Sequence, residues 1–303
     1  MLSELVSNEI LQSGEYVLSK KEIGIIICSI AVSINVAAYI MKKRNEKNIY
    51  RIADTSVGGQ IKTLPERKMG FYEKHVKRYL DVICAVGAIV CFFPLYAGVA
   101  VLVKIKLGSP ILFAQDRPGR VVDGRETVFK MYKFRTMTEE RDPVSQELLP
   151  DSVRLTRFGA WLRSTSLDEL PEAFNILNGT MSVVGPRPQL VRDMVFMTDE
   201  QRMRHTAKPG LSGLAQINGR NDIDWEVKLD WDLKYIKRVG FLEDVKIILA
   251  TIGKAFIKKE GITGGNMATV EDFGDYLLRK EKVSEVEYQE KKDMARKIVE
   301  SRS

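Results

Sequence analysis

The sequence predicts an α/β, membrane-associated protein in three parts. These are an N-terminal transmembrane helix, a re-entrant membrane helix hairpin, and a compact, mostly helical domain with a small β-hairpin. Three observations carry this prediction. The run Ile23 to Met41 contains no charged residue. A second apolar run, Tyr79 to Val103, is interrupted by Pro94 and flanked on both sides by basic residues. Beyond Gly108, short strand-like runs alternate with helical patterns and Gly/Pro-rich turns.

Taken in order, residues 1–22 are polar and slightly acidic and are expected outside the cytoplasm. Residues 23–41 are close to the roughly 20 apolar residues that a helix needs to cross a bilayer. A cleaved signal peptide is the rival reading, and Val36-Ala37-Ala38 is faintly cleavage-like. The run is long for a signal peptide, lies well inside the chain, and precedes Lys42-Lys43-Arg44, so a retained anchor is expected. Five Lys or Arg fall in residues 42–52 against two before the run, which places its C-terminal side in the cytoplasm. Residues 42–74 read as a connector, with Gly58-Gly59 and Pro65.

Residues 75–107 are long enough to span, but three features favour a hairpin that dips into one leaflet and returns. Pro94 removes a helix hydrogen bond and kinks the run, so the break is placed there. Lys74, Lys77 and Arg78 precede it and Lys104 and Lys106 follow it. A full crossing would carry everything downstream out of the cytoplasm.

Residues 108–261 read as one α/β unit. Ile111 to Ala114 and Val128 to Tyr132 are strand-like, and Val122-Asp123-Gly124-Arg125 between them is a turn, which predicts a hairpin. Asp142 to Asp151 is expected as a loop. Asp232 to Lys259 has a helical pattern, with Phe241, Val245, Ile248, Ile252 and Phe256 on one face, facing either the core or the membrane surface. Residues 262–303 form a charged C-terminal tail, expected from Met267 onward as a solvated helix.

The 303-residue chain carries a net charge of +7 and a pI near 9.1, which invites nucleic acid, anionic lipid or a phosphorylated substrate. In the unit of residues 108–261 the basic residues are spread through Gly/Pro-rich boxes with no Lys/Arg run or stacked-aromatic pattern, so no nucleic-acid partner is expected. Cys28, Cys84 and Cys91 all lie in the apolar runs without metal or CxxC spacing, and there are only two histidines. Thiol catalysis and a multi-histidine metal site are therefore disfavoured.

The stretch Arg163 to Gln189 holds the chemistry. Asp168 and Glu169 form a carboxylate pair before a helix that carries Phe174, Ile176 and Leu177. Farther on, Gly185-Pro186-Arg187-Pro188 fixes a guanidinium between two prolines. Ser166-Leu167-Asp168-Glu169 also fits a capping box, in which Ser166 caps the helix and Glu169 reaches back to its amide. A carboxylate pair opposite a held cation suits chemistry on a phosphate, because the cation neutralises charge and the pair can hold Mg²⁺, a hard oxygen-seeking ion.

Upstream lie Gln115-Asp116-Arg117-Pro118-Gly119 and Lys130-Met131-Tyr132-Lys133-Phe134-Arg135-Thr136-Met137. Downstream lies the box from Lys208 to Asn221, KPGLSGLAQINGRN. Over about residues 75 to 260, these ordered boxes resemble the bacterial sugar transferases, specifically the monotopic phosphoglycosyl transferases. The resemblance implies that Asp168 is the nucleophile on the β-phosphate of a UDP-sugar, giving a phosphosugar-aspartate and releasing UMP. Polyprenyl (undecaprenyl) phosphate then takes the phosphosugar. Glu169 is an acid/base or metal-positioning group, with Asp168 and Glu169 as Mg²⁺ ligands. Lys133, Arg135, Arg187, Arg117 and Arg220 are the expected substrate and phosphate contacts.

The resemblance also implies the re-entrant hairpin and a bacterial cytoplasmic-membrane location, with the catalytic domain in the cytoplasm and membrane lipids as neighbours. Family members often carry Ser before the hairpin proline, where this chain has Phe93. The box Ala215-Gln216-Ile217-Asn218-Gly219-Arg220-Asn221 resembles members acting on N-acetylated amino sugars, and a homo-oligomer is compatible with the sequence. Two other readings compete: a metal-dependent glycosyltransferase using Asp222-Ile223-Asp224, and a non-enzymatic lipid-binding membrane scaffold.

Overall fold

The computed structural model describes residues 49–51, 63–65, 67–143, 145–219, 224–256 and 271–300, all within one compact unit, Lys42–Ser303. The expected transmembrane helix 23–41 and the segment before it lie outside the described residues, as do Arg220 and Asp222.

The apolar run of residues 75–107 folds as two helices, α1 (Lys77–Cys91) and α2 (Phe93–Leu107), bent by 66°. A single π-helical turn, Tyr72–Val76, leads into α1. Each arm has 15 residues, roughly 22 Å of helix, short of the roughly 30 Å hydrocarbon core of a bilayer. Among the described residues no single helix is long and apolar enough to cross a membrane; only the bent pair passes that test jointly.

The break sits two residues before the expected proline. Phe92 leaves helical geometry (φ −100°, ψ 13°) and Pro94 falls in the first turn of α2. There its missing N–H costs nothing to α2, while it denies a hydrogen bond to the last turn of α1. Proline therefore ends the first arm from the far side of the break.

Each arm docks one stripe on the domain and leaves the rest uncovered. Lys77, Asp81 and Ala85 on α1 and Val99 and Val103 on α2 follow the four-residue helical repeat and are buried. Ile83, Val90, Phe93 and Ile105 are each more than half exposed.

The predicted β-hairpin forms. Strand β2 (Leu112–Pro118) pairs antiparallel with β3 (Thr127–Phe134), Leu112 opposite Phe134 and Pro118 opposite Val128. Short β1 (Ile49–Arg51) adds to the other edge of β3. Asp123 and Gly124 take positive φ between Val122 and Arg125, whose backbones exchange two hydrogen bonds, as a two-residue primed turn requires. A second sheet pairs β4 (Ser182–Val184) in parallel with β5 (Gly210–Ser212). The strands meet closely at Gly185, where a β-carbon would collide with the Lys208 carbonyl.

The helical run expected over 232–259 is two helices, α7 (Trp225–Lys237) and α8 (Phe241–Phe256), separated at Gly240. On α8, Ile247 and Asp244 are buried, whereas Phe241, Leu242, Leu249 and Ile252 are exposed. The tail differs from the expected solvated helix. Helices α9 (Phe273–Arg279) and α10 (Glu285–Glu300) bury Phe273, Tyr276, Leu277 and Tyr288 against Phe196, Trp225 and Leu229. High charge density hid this aromatic stripe from the composition.

Candidate active site

Asp168 and Glu169 lie in a single 3₁₀ turn, Leu167–Glu169, between helix α3 (Arg157–Ser164) and helix α4 (Glu172–Asn178). Two apolar anchors hold this turn. Leu167 and Leu170 pack on Val99, Val103, Phe134 and Leu162, so the second hairpin arm and β3 support it from below. Tyr96 of α2 donates its hydroxyl hydrogen bond to the Leu170 carbonyl at 2.6 Å. The capping box does not form: Ser166 has a left-handed backbone (φ 55°) and its side chain caps nothing. Glu169 reaches outward to cations instead.

Helix α4 is fixed to β3 by Asn175, fully buried, which takes the place of a neighbouring strand. Its Oδ1 accepts from the Tyr132 amide at 2.9 Å and its Nδ2 donates to the Lys130 carbonyl at 2.7 Å. Side chains alternate along a strand, so Lys133 shares a face with Phe129 and Met131, which pack against Ile176 of α4. That register brings Lys133 Nζ to 2.7 Å from Glu169 and 3.2 Å from Glu172. The same Glu169 oxygen accepts from Arg187 at 2.6 Å.

Arg187 is held by its backbone as well as by its neighbouring prolines. Arg204, buried and paired with Asp232 at 2.6 Å, donates to the Arg187 carbonyl at 2.5 Å. Arg117 donates to the next carbonyl, that of Pro188, at 3.1 Å. Arg117 thus braces the loop that delivers Arg187.

The electrostatics divide the carboxylates. Burial opposes ionisation of Glu169, but Arg187 and Lys133 outweigh it and hold its pKa well below the usual carboxylate range. Asp168 is raised instead, first by burial and also by the charge of Glu169, with Lys133 pulling the other way. Glu172 is raised by burial and by Glu169. Among the described residues the Asp168 carboxylate accepts no hydrogen bond, so both its oxygens remain available.

The other expected contacts fall as follows. Arg135 is buried and donates to the Leu107 and Ser109 carbonyls, tying down the end of α2 rather than facing the carboxylates. Arg220 lies outside the described residues. Asp224 begins α7 as its N-cap, and its D-x-D partner Asp222 is not described. Three residues that sequence reasoning left without a role belong to the constellation: Glu172, Arg204 and Arg163. Arg163 Nε donates to Thr136 Oγ1 at 3.1 Å, and its charge acts on Asp168. The acidic residue three positions after the Asp-Glu pair was the available signal for Glu172.

Asp168, without a hydrogen bond to its carboxylate among the described residues, thus stands beside Glu169, which two cations clamp. The family profile described as bacterial sugar transferase matches residues 72–258, more than half of the chain. The chain belongs to this family. It is 43% identical over 198 residues to the uncharacterized sugar transferase EpsL of Bacillus subtilis, covering 65% of this chain and 95% of that protein. It is 42% identical over 193 residues to the UDP-glucose:undecaprenyl-phosphate glucose-1-phosphate transferase of Klebsiella pneumoniae, covering 60% of this chain and 40% of that one. A third relative is the UDP-N-acetylgalactosamine-undecaprenyl-phosphate N-acetylgalactosaminephosphotransferase of Aeromonas hydrophila, 35% identical over 219 residues. That match covers 68% of this chain and 51% of the relative.

Proposed function

We propose that the protein transfers a sugar-1-phosphate from a UDP-sugar to undecaprenyl phosphate through a phosphosugar intermediate on Asp168. One observation carries the proposal: Asp168 is buried with its oxygens free, while the adjacent Glu169 is committed to Lys133 and Arg187. In the first step an Asp168 oxygen bonds to the β-phosphorus, the bond from that phosphorus to the bridging oxygen breaks, and UMP leaves. In the second, a phosphate oxygen of the lipid displaces Asp168 and carries the phosphosugar away. No water enters either step.

Lys133 and Arg187 would meet the diphosphate as charge develops on the leaving oxygen. Glu169, kept ionised, orients both cations, and its low pKa makes it a poor proton donor. Asp168 would hold Mg²⁺ as a hard oxygen ligand. Glu169 suits it less, because one of its oxygens already carries two cations. When bound, the ion screens the approach of carboxylate to phosphate. Among the described residues no group of three or more His, Cys, Asp or Glu is placed to hold a metal ion.

In this reading the hairpin lies in the cytoplasmic leaflet of the bacterial inner membrane and sets the site at the level of the lipid phosphate. The exposed apolar faces of α1 and α2 and their short length support that placement. Three sugars appear among the relatives' names: glucose, galactose and N-acetylgalactosamine. The Ala215–Asn221 box leads us to an N-acetylated amino sugar. The test is a panel of UDP-sugars assayed for UMP release with and without undecaprenyl phosphate. Release from one UDP-sugar that continues only with lipid is the expected result; no release from any of them contradicts the proposal.

A further inference from the structure

A cavity of about 140 Å³ opens at the start of α1, away from Asp168. One of its lining residues, Arg78, donates to the Ile176 and Leu177 carbonyls at the C-terminal end of α4, whereas Asp168, Glu169 and Glu172 stand at the N-terminal end. The seven residues of α4 put roughly 10 Å of helix between them. Five basic and two acidic side chains line the cavity.

Among the described residues, neither acid forms an ion pair with the basic side chains that line the cavity. Asp81 accepts from Ser182 Oγ and the Val183 amide, both at 2.9 Å, and Glu73 accepts from Arg67 at 2.5 Å. Lys74, Arg120 and Lys208 make no side-chain hydrogen bond or ion pair among the described residues. Burial first, and the neighbouring Arg78 after it, push the Lys208 ammonium down to about 8, with Asp81 opposing them only in part. The second oxygen of Glu73 is buried with no donor.

Three unpaired cations beside one acceptor in need of a donor match a phosphate monoester, which is doubly charged or retains a single hydroxyl near neutral pH. The remaining wall is apolar, with Met69, Val184 and Val239. Exposed Phe71 and Phe241 lie close by, Phe241 meeting the Tyr72 ring at 6.0 Å.

We infer that this cavity is a second phosphate site, separate from the carboxylate site, that takes the phosphate head of a membrane-borne phosphate ester. The membrane source rests on the hairpin placement proposed above; the phosphate chemistry does not. The experiment uses the full chain in neutral detergent, with Arg187→Ala throughout to weaken the carboxylate site. Binding of citronellyl phosphate, a short isoprenoid phosphate monoester, is measured by titration calorimetry beside sodium phosphate.

One citronellyl phosphate should bind, more tightly than sodium phosphate. Adding Lys208→Gln with Arg120→Gln should weaken it at least about tenfold, while Lys208→Arg should keep it. Unchanged affinity in the double variant overturns the site. Equal affinity for sodium phosphate overturns the membrane source. UMP release by the parent protein is assayed separately, so failure of the transferase reading cannot be confused with failure of this one.

Discussion

Lys133 meets Glu169 and Glu172 together, and Arg187 closes on the same Glu169 oxygen from the other side. This arrangement fixes what substitution should do. Arg187→Lys keeps the charge but loses the planar fork, so it cannot both hold Glu169 and span two phosphate oxygens. Turnover should fall by about a hundredfold, read as UMP release, and a variant as active as the parent would leave Arg187 only a turn role. Sequence alone singled out Asp168, Glu169, Lys133 and Arg187 because their chemistry and their proline setting are visible in one dimension. Glu172 and Arg204 were not legible in this way. Glu172 resembles any acid in a first helical turn until Asn175 seats α4 on β3 and buries it, and Arg204 gains its role from meeting a carbonyl 17 residues away. Arg135, in the same motif as Lys133, donates to the Leu107 and Ser109 carbonyls and pairs with Glu139 at 3.4 Å.

The hairpin is the element on which the membrane reading depends. Its composition was legible, including the basic flanks and the interruption, but the site of the break was not. Proline terminates the helix before it and is tolerated in the first turn of the one after it, so the visible residue and the bent residue differ. Pro94→Ala restores an N–H for the last turn of α1 and should let the two arms straighten toward one longer helix. In a background freed of native cysteines, Gly70→Cys and Pro110→Cys should both be shielded from an external thiol reagent in intact cells. With Pro94→Ala added, position 110 should become partly reactive. Reaction at either position without Pro94→Ala would mean that the segment crosses, and the hairpin placement would fail.

Across the whole molecule, buried ion pairs join parts distant in sequence. Glu126 at the start of the β3 region accepts from Arg202 and, at 2.7 Å, pairs with His205. Burial opposes its ionisation, but His205 and Arg202 lower its pKa from 4.5 to about 2. A depressed carboxylate contributes stability above its unfolded value, and that stability is lost as pH falls through its folded value, here between 4.5 and about 2. Burial lowers His205, so its cost also appears on acidification, below its ordinary value of 6.5. The melting temperature in detergent should therefore drop as pH falls from 7 to 4. Glu126→Gln strands the buried partners and should cost about 3 kcal/mol at pH 7. A stability indifferent to this substitution would show that the cluster holds nothing together. None of this was legible in the sequence, where Glu126, Arg202 and His205 lie up to 79 residues apart without shared periodicity. The packing of α9 and α10 was hidden for a similar reason, since their aromatic stripe is diluted by charged residues.

The covalent step is the central claim, and intact-protein mass spectrometry tests it most directly. The full chain is incubated with Mg²⁺ and the UDP-sugar that supports UMP release, without lipid acceptor. The account predicts one added phosphosugar mass, located on the peptide containing Asp168 and discharged by undecaprenyl phosphate. Asp168→Asn, which keeps the shape of the turn, should remain folded, form no adduct and lose activity by about a thousandfold or more. A folded Asp168→Asn protein that still turns over near the parent rate, or an adduct mapped to another residue, would contradict it.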